Sequence, residues 1–340
     1  MRINGLPHRI SINTRLLRIS SKSRNFKWAA SGSAITTSIL AYYYFNEKRH
    51  SNELSPDHFI PYKITYNDEI DSEHFMLELT PARPQKIDWW KAMSSGKLWS
   101  IEIKQPEIMV VRNYTPLPLE HVGNGQIRTF PEGSFKDGKL FFYLKKYKHG
   151  EVARWLSKLP EGHTVELRGP YVDYEMPSQS ISSSAGKVKD RVSYDVVTFT
   201  AGTGIAPVAQ MLLTNKAHFG RVLMLHSCGA RQELGPLQPL LEEAQNNKRI
   251  QLHYYESRHG RDIRKIPYEV LALLPTPYSA ESAPVEENSA STVNPILALV
   301  CGPDSYINTV AGPKYGLLQG PIQGILAQRS WNNSNVYKLS

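Results

Sequence analysis

Cysteine is scarce in this 340-residue chain: Cys228 and Cys301 are the only two, far apart in sequence. No CxxC, CxxCH or HExxH occurs, which argues against a structural zinc site, covalent haem attachment and zincin chemistry. Two cysteines are too few for a disulfide framework, and no metal ligand set stands out among the scattered histidines. No internal repeat is visible. Acid is missing from residues 1–27, which carry Arg2, Arg9, Arg15, Arg18, Lys22, Arg24 and Lys27. Those seven account for most of the formal charge of +9 and leave +2 for the other 313 residues. The basicity therefore belongs to the N-terminus and not to a nucleic-acid groove. With 41% apolar residues, the chain is long enough for one large domain or two ordinary ones, each with its own core.

Residues 1–27 interleave Ile10, Leu16 and Leu17 with arginine and serine, the composition of a mitochondrial presequence; a disordered basic tail would have a similar look. The next nineteen residues, 28–46, "WAASGSAITTSILAYYYFN", carry no charge. As a helix they would extend about 28 Å, close to a hydrocarbon core of about 30 Å. Trp28 at one end and Tyr42, Tyr43 and Tyr44 at the other fit interfacial anchors. A single membrane span is expected, with a buried soluble helix or a secretory signal as alternatives. Positive charge stays inside, so residues 1–27 would lie in the matrix and the rest in the intermembrane space of the inner mitochondrial membrane.

Beyond residue 58 the composition changes to short strands: "YKITYN", "HFMLELTP", "LWSIEIKQP", "IMVVRNYTP" and "KLFFYLKKY", broken by Pro, Gly and Asn. This predicts an antiparallel β-barrel or sandwich. A helix in "EVARWLSKLP" and a strand in "TVELRGP" complete a domain over 58–174. Residues 175–191 are serine-rich and read as a linker. From 192 to 340, strands and helices alternate, the pattern of βαβ units around a parallel sheet. The helix "APVAQMLLTNKA" is expected to turn Val208, Met211 and Leu212 to the core. Ligands in such sheets bind beyond the carboxyl ends of the strands, where "AGTGIAP" and "CGPD" both fall.

In "AGTGIAP", Gly202 and Gly204 permit positive φ and close approach of backbone N–H groups to an anion, and Pro207 suits a first helical turn. Alone, such a loop is equally well an ordinary turn. In "RNYT", Arg112 is suited to forking onto a pyrophosphate and Tyr114 to packing on a flat ring. Thr115 joins them only if the strand ends there, as the following Pro116 favours. By itself this is as easily a plain strand with an exposed arginine.

The order RxYT, "YLKKY", a Gly-led helix, "RGP", GTGxxP and CGP resembles the ferredoxin–NAD(P)+ reductase superfamily, in particular the NADH–cytochrome b5 reductases, over about residues 58–340. The resemblance implies FAD and a nicotinamide cofactor, NADH or NADPH. It implies that Arg112 binds the pyrophosphate, Tyr114 contacts the flavin and Thr115 bonds its N5. It carries the flavin strand over to Leu144, Lys145 and Tyr147, and the phosphate helix to Gly150, Glu151, Val152 and Ala153. Gly202, Thr203, Gly204 and Pro207 would take the nicotinamide nucleotide. Cys301, with Gly302 and Pro303, would lie beside the hydride path, so that Thr115 and Cys301 are the catalytic candidates.

Departures accompany the match. Glu151 and Ala153 stand where those reductases place a lysine and a serine, and Ala206 stands where a hydroxyl is expected. Pro118 and Leu119 replace serines, and Tyr337 is the candidate for a terminal aromatic over the flavin. These departures, with the presequence, span and Ser-rich insertions, resemble one fungal branch of mitochondrial flavoproteins. That branch is described as cytochrome c import or haem-attachment factors. The branch implies haem as electron acceptor, with cytochrome c haem lyase and apocytochrome c as partners. A general cytochrome b5 or quinone reductase, and a weakly active scaffold for haem lyase, are the alternatives. Arg231 is a candidate contact for a 2′-phosphate, or simply solvated.

Overall fold

The computed structural model describes residues 52–93, 96–130, 137–177, 194–214, 219–277 and 295–339. The expected presequence (1–27) and membrane span (28–46), and most of the 175–191 linker, lie outside the described residues. Among the described residues no helix is long and apolar enough to cross a membrane. Residues from Asn52 onward form one compact unit.

Its first half is an antiparallel sheet. Strand β1 (Ile60–Glu69) buries Ile60, Tyr62, Ile64 and Tyr66 at every second position, the period of a pleated strand with one face inward. It pairs with β2 (His74–Pro81) on one side and β8 (Thr164–Glu175) on the other. Strands β3 (Lys97–Gln105), β4 (Val110–Tyr114) and β7 (Leu140–Lys145) complete the spatial order β4-β3-β8-β1-β2-β7. β5 (Leu119–His121) and β6 (Ile127–Thr129) form a separate ribbon. The expected barrel is therefore a curled sheet: its two ends meet through an isolated bridge between Leu117 and Phe141 rather than through a paired β4 and β7. Helix α1 (Trp89–Met93) plugs one end with Trp90, whose ring meets Trp99 edge-on at 4.9 Å. Helix α2 (Glu151–Leu156) seats Val152, Ala153 and Leu156 in the same core.

The second half is a five-stranded parallel sheet in the order β11-β10-β9-β12-β13, built from β9 (Tyr194–Ala201), β10 (Phe219–Cys228), β11 (Ile250–Glu256), β12 (Pro295–Cys301) and β13 (Val336–Lys338). Buried on both faces, β12 is a near-continuous apolar run and β9 is one broken by Thr198 and Thr200, as suits parallel strands covered by helices. The chain steps from β9 to β10 and β11 on one side, then crosses to β12 on the other. The order therefore reverses between β9 and β12, and a crevice opens at their carboxyl ends.

Helix α3 (Ala206–Thr214) was expected to show one apolar face; instead every residue from Ala206 to Leu212 is buried, Gln210 included. It is wedged between the two halves. One continuous core runs from Leu98, Leu117 and Phe141 of the first half to Ile205, Val208 and Met211 of the second. The halves are thus joined by packing and not merely by a linker. β8 continues to Glu175 and Met176 is buried, so the first half extends two residues past 174.

Candidate active site

β4 stops at Tyr114, opposite Ile101 of β3, and Pro116 follows without an N–H to offer the ladder. Because the strand ends there, Thr115 turns to the same cleft as Arg112 and Tyr114, the condition its sequence position set. Tyr114 is half-buried and burial holds its phenol well above the ordinary range, so the ring is a neutral wall. Arg112 is exposed; its Nη1 donates to the Val111 carbonyl at 2.9 Å, which leaves the other guanidinium donors to the cleft.

β7 supplies Leu144 and Lys145, and Tyr147 lies just beyond it. Lys145 Nζ lies 2.8 Å from Glu73 Oε2, and that lysine holds the Glu73 carboxyl below the usual range. Gly150 opens α2 without a side-chain cap, so the N–H groups of Glu151, Val152 and Ala153 have no intrahelical partner. Val152 and Ala153 turn their side chains into the core and can offer the cleft only backbone, whereas Glu151 is exposed.

The facing wall comes from the parallel sheet. Thr203, Gly204 and Pro207 line it, with Cys301, Gly302 and Pro303 from the end of β12. Gly202 does not line the cleft: its φ of +53° lets the chain turn out of β9. Gly204 is needed for a different reason, since a Cβ there would fall 2.5 Å from the Cys301 carbonyl oxygen. The two loops are in backbone contact, which is what brings the GTG and CGP stretches onto one wall. Cys301 is buried, and burial pushes its thiol up to about 12, so at neutral pH it is a small apolar surface and not a thiolate.

The two walls meet at the mouth, where Tyr147 Oη lies 3.4 Å from Thr203 Oγ1. The half-open cleft measures about 390 Å³, within the usual range for a cofactor site. Sequence reasoning passed over Asn113, Tyr143 and Ala201, which also line it, as does Ala206, noted from the sequence only as a departure. Tyr143 was recoverable, because it alternates in phase with Lys145 and Tyr147. Two side contacts were not recoverable. Tyr337 does not line the cleft; its hydroxyl donates to the Asp173 carbonyl at 3.1 Å and its ring lies 4.2 Å from that of Tyr174. Arg231 lies in a separate polar cleft of about 570 Å³, paired with Glu256 at 2.7 Å and set over the Tyr254 ring.

A flavin dinucleotide fits this donor set: an arginine, an uncapped helix start, a tyrosine wall and a strand-end hydroxyl arranged along one cleft. No protein-family model matches the chain. It is 42% identical to the cytochrome c mitochondrial import factor CYC2 of Saccharomyces cerevisiae, over 95% of this chain and 94% of that protein. The chain belongs to the family of that import factor. The family's wider relatives are reductase-like. A Schizosaccharomyces pombe FAD-binding protein is 24% identical over 88% of this chain and 91% of its own. NADH-cytochrome b5 reductase 2 of Meyerozyma guilliermondii is 22% identical over 74% and 81%. Among solved structures, the CS-b5R domains of human Ncb5or, in their NAD+ form, superpose with a TM-score of 0.50 at 14% identity, covering 83% of this chain and 70% of that one. The fold is thus the ferredoxin-reductase-like pair of a curled antiparallel sheet and a parallel sheet.

Proposed function

We propose that the chain is an FAD-dependent NAD(P)H oxidoreductase of c-type cytochrome biogenesis, which reduces haem before haem lyase joins it to apocytochrome c. The observation that carries this reading is the single cleft with Arg112, Tyr114 and Thr115 on one wall and Thr203, Gly204 and Cys301 on the other. When bound, FAD would accept a hydride from the nicotinamide and release electrons singly to an acceptor. Arg112 would fork onto the pyrophosphate, assisted by the open N–H groups of α2. Tyr114 would pack on the ring system, and Thr115 Oγ1 would bond N5 and orient it. The 203–207 turn would hold the nucleotide phosphates, and the neutral Cys301 thiol would shape the nicotinamide wall. No side chain is required as a strong base. Haem is a substrate here.

The relatives' names support both halves of the reading: FAD in one, NADH and cytochrome b5 in another, cytochrome c in a third. The composition of residues 1–46 supports a mitochondrial address and a single inner-membrane span, with the described unit in the intermembrane space. Protease treatment of mitoplasts should then digest this unit; protection would reverse the orientation. Glu151 at the cleft mouth favours a second reading, a scaffold for haem lyase with little turnover, because it sets a negative charge near the phosphates. The test is the purified chain loaded with FAD and mixed anaerobically with NADH or NADPH. Bleaching of flavin absorbance, followed by reoxidation with haem, is expected. Colourless protein that stays so in excess FAD removes the enzyme reading, and reoxidation by cytochrome b5 or quinone but not haem favours a general reductase.

A further inference from the structure

We propose that Gln210 is a positioning residue that fixes the distance between the flavin wall and the nicotinamide wall; this rests on the oxidoreductase reading above. The antiparallel register of β3 and β4 pairs Ile101 with Tyr114. Continued by two residues, it would place Pro116 opposite Trp99. Proline lacks an N–H, so the ladder breaks there and the Trp99 backbone needs another partner. Gln210 supplies it from α3, more than ninety residues away. Its Oε1 accepts from the Trp99 N–H at 3.0 Å and its Nε2 donates to the Trp99 carbonyl at 3.0 Å. The second Nε2 hydrogen goes to the Pro116 carbonyl at 2.8 Å. Both donors of the amide are used, and the side chain is 1% exposed. The amide takes the place of a peptide unit in the interrupted ladder.

Each end of this device is close in sequence to one of the two walls. Pro116 directly follows Thr115. Gln210 lies three residues, just under one helical turn, after Pro207. Reacting atoms in hydride chemistry must sit roughly 3–3.5 Å apart, and a misplacement of about 1 Å costs about a hundredfold in rate. Other bonds across the seam, Tyr147 Oη with Thr203 Oγ1 at the cleft, Tyr143 Oη to the Glu233 carbonyl and Tyr337 Oη to the Asp173 carbonyl, do not touch the Thr115–Pro116 turn. They would keep the halves together if Gln210 were lost, while letting the walls slide near Thr115.

The test compares the full-length chain with Gln210→Met, which keeps shape but loses all three bonds, and with Gln210→Glu. The cofactor-free readout is backbone amide exchange of Trp99. Gln210→Met should speed it at least about tenfold. With FAD loaded, the limiting rate of anaerobic reduction by NADH should fall about 10–100-fold, while FAD content and the NADH concentration for half-saturation change less than about threefold. Gln210→Glu should recover rate as pH falls, because a protonated carboxyl again donates one bond and accepts another; Gln210→Met should lack that pH dependence. A folded, FAD-loaded Gln210→Met protein with the normal limiting rate overturns the proposal. So does a slowing matched by lost FAD, or unchanged exchange at Trp99. Should Gln210→Met fail to fold, Gln210→Glu decides: a rate without the pH recovery overturns it. If the unaltered chain is reduced by neither nucleotide, the oxidoreductase reading fails on its own, and the exchange result still judges the clasp.

Discussion

Gly202 and Gly204 look alike in the sequence, two residues of one GxG, yet the fold uses them differently. Gly202 holds a φ of +53°, and a Cβ on it would point into open space. Gly204 has ordinary backbone but presses against the end of β12, where a Cβ would lie 2.5 Å from the Cys301 carbonyl oxygen and 2.9 Å from the Gly302 nitrogen. Those are backbone atoms and cannot rotate aside. Gly202→Ala should therefore cost about 1–2 kcal/mol of left-handed strain and leave the wall in place. Gly204→Ala should cost about 1–3 kcal/mol by overpacking and also push the two loops apart. Denaturant unfolding measures the first effect and nicotinamide titration the second. NADH binding weakened about tenfold or more in Gly204→Ala, with FAD retained in both variants, is the expected pattern. Equal effects of the two substitutions would mean that the contact with Cys301 does not shape the nucleotide wall.

At the scale of one element, α2 carries a conflict. An acidic residue in its first turn favours the helix by about 0.3–1 kcal/mol through the N-terminal dipole. The same charge opposes any phosphate placed against the open N–H groups of Glu151, Val152 and Ala153. Glu151→Lys should relax this conflict in favour of the cofactor. We expect FAD to bind about tenfold more tightly at low salt, with the gain fading as ionic strength rises, and the cofactor-free chain to lose about 0.3–1 kcal/mol or more of stability as the dipole contribution is reversed. A calorimetric titration at two salt concentrations checks it; no gain at low salt would place Glu151 away from the phosphates. Elements such as α2 were legible in the sequence because period-2 and period-3.6 patterns survive wherever one face of an element is buried. That is why β1 could be read; β7, β9 and β12, buried on both faces, were legible instead as short apolar runs between breakers, and the strand end at Tyr114 followed from Pro116. β13 could not be read, since its three residues, Val336 to Lys338, are too short to show a period and gain strand form only by pairing with β12. Nor could the burial of α3, which is set by what packs on both of its sides. The clasp of Gln210 is tertiary in the same sense: nothing local distinguishes that glutamine from one facing water.

Acid stability belongs to the whole molecule, because protons are taken up only when the parallel sheet unfolds. His226 sits near the carboxyl end of β10, fully buried, with Nδ1 2.9 Å from Thr200 Oγ1 on β9. Burial presses its pKa down from 6.5 to about 3, so the folded chain keeps it neutral. Once the sheet opens, the imidazole titrates near its ordinary value. Between those two values the unfolded chain binds one proton that the folded chain does not. Stability must therefore fall as pH drops below about 6.5, with a slope approaching 1.4 kcal/mol per pH unit from this group. Carboxylates held low by partners, Glu73 and Glu256 among them, contribute stability that is lost only further down, as pH passes below the ordinary carboxylate range. Asp173 opposes the histidine below about pH 6, because burial raises its carboxyl to about 6 and the folded chain then binds a proton that the unfolded chain does not; comparison with a variant lacking His226 separates the two. His226→Gln keeps an amide for Thr200 and removes the titration. Its unfolding free energy, measured by denaturant at half-unit pH steps, should lose nearly one proton of slope relative to the parent from about pH 6.5 down to about 3, the two slopes converging only below that range. An unchanged slope would mean that the imidazole reaches water in the folded chain, and that the central strands are less tightly closed than their burial indicates.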